Sequence, residues 1–229
     1  MSLDNKINLT VLTKDGSNTL HSLRYNTHYH SMNGAIQEAK HIFINAGLES
    51  ILVRKNKIRI LEMGFGSGLN AYLTAIRCIK EEHKLIEYVA IEKFPIEKAE
   101  IDSLNYSQLI EGKLKSELFA NIHRIDFNSS ASILPNFNLK IINEDLLDLT
   151  LLEQFDLVYY DAFDPEVQPE LWTSAVFEKV YNWIKPSGQL LTYCAKGFVK
   201  RNLKSVGFTL EGLPGPAGKR EITRATKTT

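Results

Sequence analysis

Only two cysteines occur in 229 residues, Cys78 and Cys194, and they lie far apart with no C-x-x-C pair. That usage suits a reducing cytosol and argues against a structural zinc site. No apolar run approaches the ~18 residues of a membrane span. The polar stretch from Met1 to Asp15 has no signal-like apolar core. The expectation is a cytoplasmic protein with no membrane partner. Net charge is lacking too: 27 basic residues balance 27 acidic ones, so no overall field steers the chain toward nucleic acid. There is no internal repeat and no low-complexity tract. What remains is ordinary globular composition, 44% apolar and 24% charged. The length suits one α/β domain (51–229) behind a small N-terminal extension (1–50) made of a hairpin and a covering helix.

The charges are unevenly placed. From Lys196 onward there are eight basic residues and two acidic ones, leaving +6 there and −6 in the remainder. A polyanionic partner would meet this C-terminal third, although a solvated charged face gives the same count.

The most informative stretch is Leu61-Glu62-Met63-Gly64-Phe65-Gly66-Ser67-Gly68-Leu69-Asn70. An apolar run, Ile58 to Leu61, precedes it, and a helix-patterned stretch, Leu69 to Lys80, follows. This reads as strand, tight glycine turn and helix start. Such a turn lets backbone approach a ligand, and the helix start offers free N–H groups to an anion. The G-x-G-x-G spacing, with Glu62 two residues ahead, resembles motif I of the S-adenosylmethionine (SAM) methyltransferases rather than the G-x-G-x-x-G dinucleotide fingerprint. The resemblance implies that the carboxyl end of SAM lies at the turn and that Glu62 helps orient its amino group. A glycine-rich turn with no ligand is the plain alternative, so its context matters.

The rest of the chain supplies that context. Ile7 to Leu12 and Leu20 to Tyr25 read as a hairpin around the Asp15-Gly16 turn. His28-x-His30 has no third ligand nearby, so it reads as a loop rather than a metal site, with Ser31 or Asn33 capping the next helix. Ile36, Ala39, Phe43 and Ala46 mark that helix, with Gly47 placed to end it. Its expected job is to cover one end of the cofactor site. Ile86 to Ile91 reads as the second strand of the main sheet. Glu92 ends it 28 residues after Gly64, the length of one β-α-β unit, where an acid can accept from both ribose hydroxyls. Pro95 is placed to open a helix. Ser107 to Phe119 reads as a helix, Asn121 to Phe127 and Asn138 to Ile142 as strands, with a Ser- and Asn-rich loop between them. Asp145 can accept from the adenine amino group with Leu146 against the ring, or simply cap a helix. Phe155 to Tyr160 is the next strand, followed by Asp161. Glu170 to Trp183 is a helix, Gln189 to Tyr193 a strand and Lys196 to Ser205 a helix. Phe208 to Leu210 and Arg220 to Thr223 form a closing antiparallel pair. The alternation gives a doubly wound, mostly parallel α/β sheet with ligands at the carboxyl ends of its strands. With the glycine turn of Glu62 to Asn70, this arrangement resembles the Rossmann-like, class I SAM-dependent methyltransferases, and that is the expected fold class.

The segment Asp161-Ala-Phe-Asp-Pro-Glu-Val-Gln-Pro-Glu-Leu-Trp172 follows D-x-F-x-P-x-x-x-P-x-x-W. Together with Glu62 to Asn70, Glu92-Lys93-Phe94-Pro95, Lys196 to Arg201 and Gly218-Lys219-Arg220-Glu221, it resembles the MnmC-type tRNA methyltransferases. Tyr29-His30-Ser31, Gly34 and Glu38 resemble that family's N-terminal segment. Nearly the whole chain is covered in motif order. The family is often fused to a flavin-dependent oxidase. No second dinucleotide motif occurs here, so the chain looks like the stand-alone, MnmD-like methyltransferase part. One departure is Ala162, where the family often has glycine; its methyl group narrows the approach of substrate to backbone.

The resemblance implies SAM as cofactor, held by Tyr29, Glu62, Gly64, Gly66, Gly68, Asn70, Glu92, Lys93, Asp145, Leu146 and Asp161. It implies methylation of the 5-aminomethyl group of a wobble uridine, usually 2-thiolated, in the tRNA anticodon loop. A separate enzyme would supply that aminomethyl group. Asp161 is the catalytic candidate, orienting the amine or taking its proton. Phe163 and Phe198 are placed to stack on the uracil ring. Lys196, Lys200, Arg201, Lys219 and Arg220 can track phosphates. Trp172 reads as a loop anchor, with a base contact as the alternative. A polyamine synthase of the same fold, a small-molecule amine methyltransferase and a non-catalytic SAM- or RNA-binding module are the competing readings. No residue set calls for a metal.

Overall fold

The computed structural model describes residues 8–110 and 112–228, so Ile7, the expected start of the first strand, lies outside the described residues. β-branched and aromatic residues build one large sheet. Its parallel core is β4 (Lys57–Met63), β5 (Leu85–Ile91), β7 (Phe137–Ile142), β8 (Phe155–Tyr160) and β9 (Ile184–Thr192). Antiparallel edges are added by β6 (Ser130–Leu134) and by β10 (Phe208–Pro214) with β11 (Glu221–Lys227). The strand order is β10-β11-β9-β8-β4-β5-β7-β6. A separate three-stranded sheet holds β1 (Leu9–Leu12), β2 (Asn18–Ser22) and β3 (Thr27–His28).

The winding runs from β4 through β5 to β7 on one side, then restarts at β8 and runs to β9 on the other. The carboxyl ends of β4 and β8 therefore form the topological switch, where α/β sheets bind ligands. The Asp161 N–H donates to the Met63 carbonyl at 3.1 Å there. Alternation along β4 sends Ile58 and Ile60 into the apolar layer containing Tyr72, Tyr88 and Tyr159, and Leu61 and Met63 into the layer containing Tyr160, Trp172 and Phe177.

Several local expectations are corrected. Gly47 does not end its helix. Helical backbone runs over 35–52, π-helical across Lys40–Leu48. A Cβ on Gly47 would lie 3.5 Å from both the Leu191 and Tyr159 side chains, so this glycine serves close packing on the sheet. That helix starts without a Ser31 or Asn33 cap. Asp15 Oδ2 accepts the Gln37 N–H at 2.9 Å and Ser17 Oγ accepts the Ala35 N–H at 3.2 Å, both from the hairpin turn. Pro95 precedes its helix rather than opening it. Lys98–Ser103 begins after Glu97, which forms a reciprocal capping box with Glu100. Ser107 to Phe119 is split into Tyr106–Leu109 and Lys113–Ile122, and the second helix runs through the expected strand at Asn121 because Phe119 and Ile122 are buried in the core. The expected Ser/Asn loop contains β6, paired antiparallel with β7. Glu170 to Trp183 is a 3-10 turn, Pro169–Trp172, followed by the helix Ser174–Trp183.

At the opposite edge of β8, Asp156 has a side chain only 1% exposed. It accepts from Lys55 Nζ at 2.5 Å, Lys185 Nζ at 2.9 Å and the Arg59 N–H at 2.8 Å. Burial pushes this carboxyl up, but those donors outweigh it and hold it below the ordinary value. A depressed folded value contributes stability that is present above the unfolded value of about 3.9 and lost as pH falls through the folded one. Asp156→Asn should therefore be about 2 kcal/mol less stable than wild type at pH 7 and so melt lower, with a shallower loss below pH ~4. Thermal melts across pH check this.

Candidate active site

A cavity of about 490 Å³ opens at the switch point, a volume suited to a nucleoside-sized ligand. Its floor is the turn after β4. Gly64, Gly66 and Gly68 all have positive φ, and a Cβ on Gly64 would sit 3.0 Å from the Asp161 carbonyl oxygen. The helix Leu69–Cys78 starts from this turn, and Gly66, Ser67, Leu69 and Asn70 face the cavity.

Carboxylates from three strand ends meet around it. Glu92, after β5, accepts the Gly66 N–H and the Phe94 N–H, each at 2.8 Å. Burial pushes its carboxyl up against those donors. Glu92 thus ties the glycine turn to the neighbouring strand. Asp145, after β7, pairs with Lys93 Nζ at 2.5 Å and accepts the Leu147 N–H at 2.9 Å. Its carboxyl is lowered, since these bonds outweigh its burial. Asp161, after β8, accepts from Asn70 Nδ2 at 2.8 Å. Burial pushes it up to about 7, against the Asn70 hydrogen bond, with Glu38 raising it further and Lys219 opposing.

Glu62 is different. It is fully buried and is not on the cavity wall. Asn70 Nδ2 also donates to Glu62 Oε1, at 2.9 Å, so one amide stands between two acids. Asn70 Oδ1 and Glu62 Oε2 are buried without hydrogen-bond partners. Burial raises Glu62 well above the usual carboxylate range.

The N-terminal extension walls the cavity with its hairpin more than with its helix, from which Glu38 alone takes part. Tyr29 meets Phe163 edge-on at 5.1 Å. Tyr25 stands 4.9 Å from Phe163 and 6.5 Å from Phe94 between ring centroids, and the Arg24 guanidinium lies 3.9 Å over Phe94. Arg24 and Tyr25 carry no periodicity or motif spacing, and Phe94, part of the Glu92-Lys93-Phe94-Pro95 run, was not singled out as a site residue. His28 packs on His21 at 4.8 Å. His30 is bonded to Thr19 Oγ1 at 2.9 Å, and burial lowers it to about 4, keeping it neutral. No group of three ligating side chains gathers among the described residues.

Of the remaining candidates, Tyr29, Lys93, Leu146, Phe163 and Lys219 line the cavity, whereas Gly68, packed against Phe65 and His123, and Phe198, Lys196, Lys200, Arg201 and Arg220 lie outside its walls. Lys196 pairs with Asp164 and Glu166 at 2.7 Å, and Lys200 with Glu221 at 2.8 Å. Phe198 is 39% exposed on the helix Gly197–Ser205. Lys219 Nζ bonds Glu38 at 2.5 Å and lies 4.1 Å over the Tyr193 ring, closing one end of the cavity. Trp172 is buried and donates from Nε1 to the Phe163 carbonyl at 2.8 Å, anchoring the loop that presents Phe163. Ala162 is on the wall, and its carbonyl accepts from the Tyr193 hydroxyl at 2.8 Å.

The profile of the S-adenosyl-L-methionine-dependent methyltransferases matches residues 106–228. The chain belongs to that family. Among curated relatives, the tRNA 5-methylaminomethyl-2-thiouridine biosynthesis bifunctional protein MnmC of Cupriavidus metallidurans is 31% identical over 94% of this chain and 33% of its own length. The protein of the same name from Ralstonia nicotianae is 32% identical over 93% and 33%. The chain thus spans about a third of the length of the curated relatives it matches. The crystal structure of MnmC2 from Aquifex aeolicus aligns with a TM-score of 0.80 at 25% identity, covering 98% of this chain and 72% of that one. As a family member, this methyltransferase uses S-adenosyl-L-methionine. Its cavity fits that cofactor: side-chain-free backbone at Gly64 and Gly66, acids at successive strand ends, and an unpartnered amide oxygen at Asn70.

The raised Asp161 has a stability consequence. A carboxyl whose folded value lies above its unfolded one binds more protons folded, so stability falls as pH rises from ~4 to ~7. Asp161→Asn removes that ionisation. The ligand-free variant should melt several degrees above wild type at pH 8 and converge with it near pH ~4. Melts that stay parallel over this range would contradict the assignment.

Proposed function

We propose that this methyltransferase transfers a methyl group to the 5-aminomethyl group of a modified, usually 2-thiolated, wobble uridine in tRNA. The observation that carries the reading is Asp161, which reaches the cavity wall beside Phe163 and Lys219 with one carboxylate oxygen committed to Asn70. The MnmC names of the relatives support the same substrate. SAM, when bound, supplies an electrophilic methyl group on a sulfonium. Gly64, Gly66 and Gly68 shape the turn that would lie beneath it, Glu92 would hold the ribose, and Asp145 with Leu146 would hold the adenine. Lys93, paired with Asp145, and Tyr29 complete the walls.

The acceptor must be a neutral amine, although a primary alkylamine is protonated below pH ~10. Asp161 titrates close to neutrality, which matches a group that receives a proton at working pH. An ionised carboxylate also favours the ammonium form, and a neighbouring sulfonium and burial of the amine would oppose that. The aromatic group of Phe163, Tyr25 and Tyr29 provides a stacking surface for a splayed-out base. Lys196, Lys200, Arg201, Lys219 and Arg220 form the basic side for the anticodon loop, and Phe198, exposed on the same helix as Lys200, can stack on a base there rather than inside the cavity. The ion pairs of Lys196 and Lys200 are partly exposed and cheap to exchange for phosphates. A separate enzyme supplies the aminomethyl group. No described helix is long and apolar enough to cross a membrane; both cysteines are free and buried, and we place the protein in the cytoplasm.

Incubation with methyl-labelled SAM and tRNA from cells lacking the final methylation, followed by digestion, should yield labelled 5-methylaminomethyl uridine. Asp161→Ala should lower kcat by about 10²–10⁴ with little change in SAM affinity. Retention of near-normal turnover would remove Asp161 from the chemistry. Lys200→Glu should weaken tRNA binding and reduce the slope of log K against log salt by about one. An unchanged slope would remove this face from the interface.

A further inference from the structure

Glu62 stands two residues before the glycine turn, yet its side chain is 0% exposed and off the cavity wall. Alternation along β4 sends it to the same side as Ile60, toward the helix Leu69–Cys78. Asn70, in the first turn of that helix, is its hydrogen-bond partner. The two hydrogens of one Nδ2 are divided between Glu62 Oε1 at 2.9 Å and Asp161 Oδ2 at 2.8 Å. Helix propensity does not explain an asparagine here, since its carbonyl oxygen is left buried and unpartnered. The Asp161 side chain has no other hydrogen bond among those described, which leaves Oδ1 uncommitted on a residue that lines the cavity.

We propose that Asn70 and Glu62 are positioning residues for Asp161: Glu62 fixes the Asn70 amide, and that amide clamps Asp161 Oδ2 so that Oδ1 is the oxygen presented to the acceptor amine. Glu62 thereby serves the acceptor end of the site through Asn70, without touching SAM. The inference rests on the reading of Asp161 as the group that meets the amine. A carboxylate free to rotate about its Cα–Cβ and Cβ–Cγ bonds would spread its charge over several directions, and loss of orientation is expensive in a displacement that needs alignment. The clamp also favours ionised Asp161, opposing its burial. The charged and titratable groups around Asp161 are Glu62 behind Asn70, Tyr88 from β5, Glu38 from the helix over 35–52, Lys219 from the turn between β10 and β11, and Tyr193 after β9. All but Glu62 stay unchanged in the variants below.

Two measurements test the clamp. In ligand-free protein, a ¹³C-carboxyl titration of Asp161, assigned by difference from Asp161→Asn, should shift to higher pH in Asn70→Ala, because the variant loses the hydrogen bond that favours the charged form. An unmoved titration would overturn the clamp. In kinetics, Glu62→Ala should lower kcat by about tenfold or more while SAM Kd changes by less than about threefold, and Glu62→Gln, whose amide oxygen still accepts from Asn70, should recover most of kcat. If Glu62→Ala and Glu62→Gln instead both weaken SAM by more than about tenfold with kcat held, the Glu62 carboxylate binds the cofactor directly and the inference fails. Should Asp161→Ala retain turnover, the acceptor reading falls on its own, because the titration reports the clamp without substrate.

Discussion

Two neighbouring parallel strands, β4 and β8, end within one peptide of each other, and their chains then part in opposite directions. The Asp161 main chain lies against the turn after β4, where a Cβ on Gly64 would come within 3.0 Å of a carbonyl oxygen. This close approach puts Asp161 next to the first turn of the helix Leu69–Cys78 and so within reach of Asn70. It also opens the gap in which a nucleoside can lie. A side chain at Gly64 would separate the strand ends, and the acid would lose its neighbours before any ligand arrived. Ala162 stands beside this contact, and its carbonyl accepts from the Tyr193 hydroxyl.

The sheet is visible in the sequence because its strands are long, apolar and separated by helix-period stretches. β8 was expected over Phe155 to Tyr160 and spans Phe155–Tyr160. The elements that escaped are those governed by distant partners. Asn121 favours no strand once Phe119 and Ile122 have a core to enter. β6 is a polar edge strand whose pairing depends on β7 rather than on its own pattern. Gly47 looks like a helix stop until Tyr159 and Leu191 are seen to need the space it leaves.

The site divides the same way. Gly64, Gly66, Glu92, Asp145 and Asp161 occupy strand ends, and their spacing along the chain is set by the β-α-β repeat, which is why they could be named without coordinates. Arg24 and Tyr25 arrive from a hairpin turn whose direction no local signal encodes. The basic residues of the helix Gly197–Ser205 were legible as a stripe, but the ion pairs of Lys196 and Lys200 with acids remote in sequence were not. Charge counting finds the positive third of the chain and says nothing about which cations are already engaged.

The Lys219–Glu38 pair joins the last part of the chain to the first across one end of the cavity. During synthesis, β4, β5, β7 and β8 can assemble around the glycine turn as soon as they emerge, because each parallel neighbour is already present. The end wall cannot form until the turn between β10 and β11 has left the ribosome. A nascent chain that lacks this turn carries an open trough rather than a pocket, and competence to enclose a small molecule arrives with Lys219.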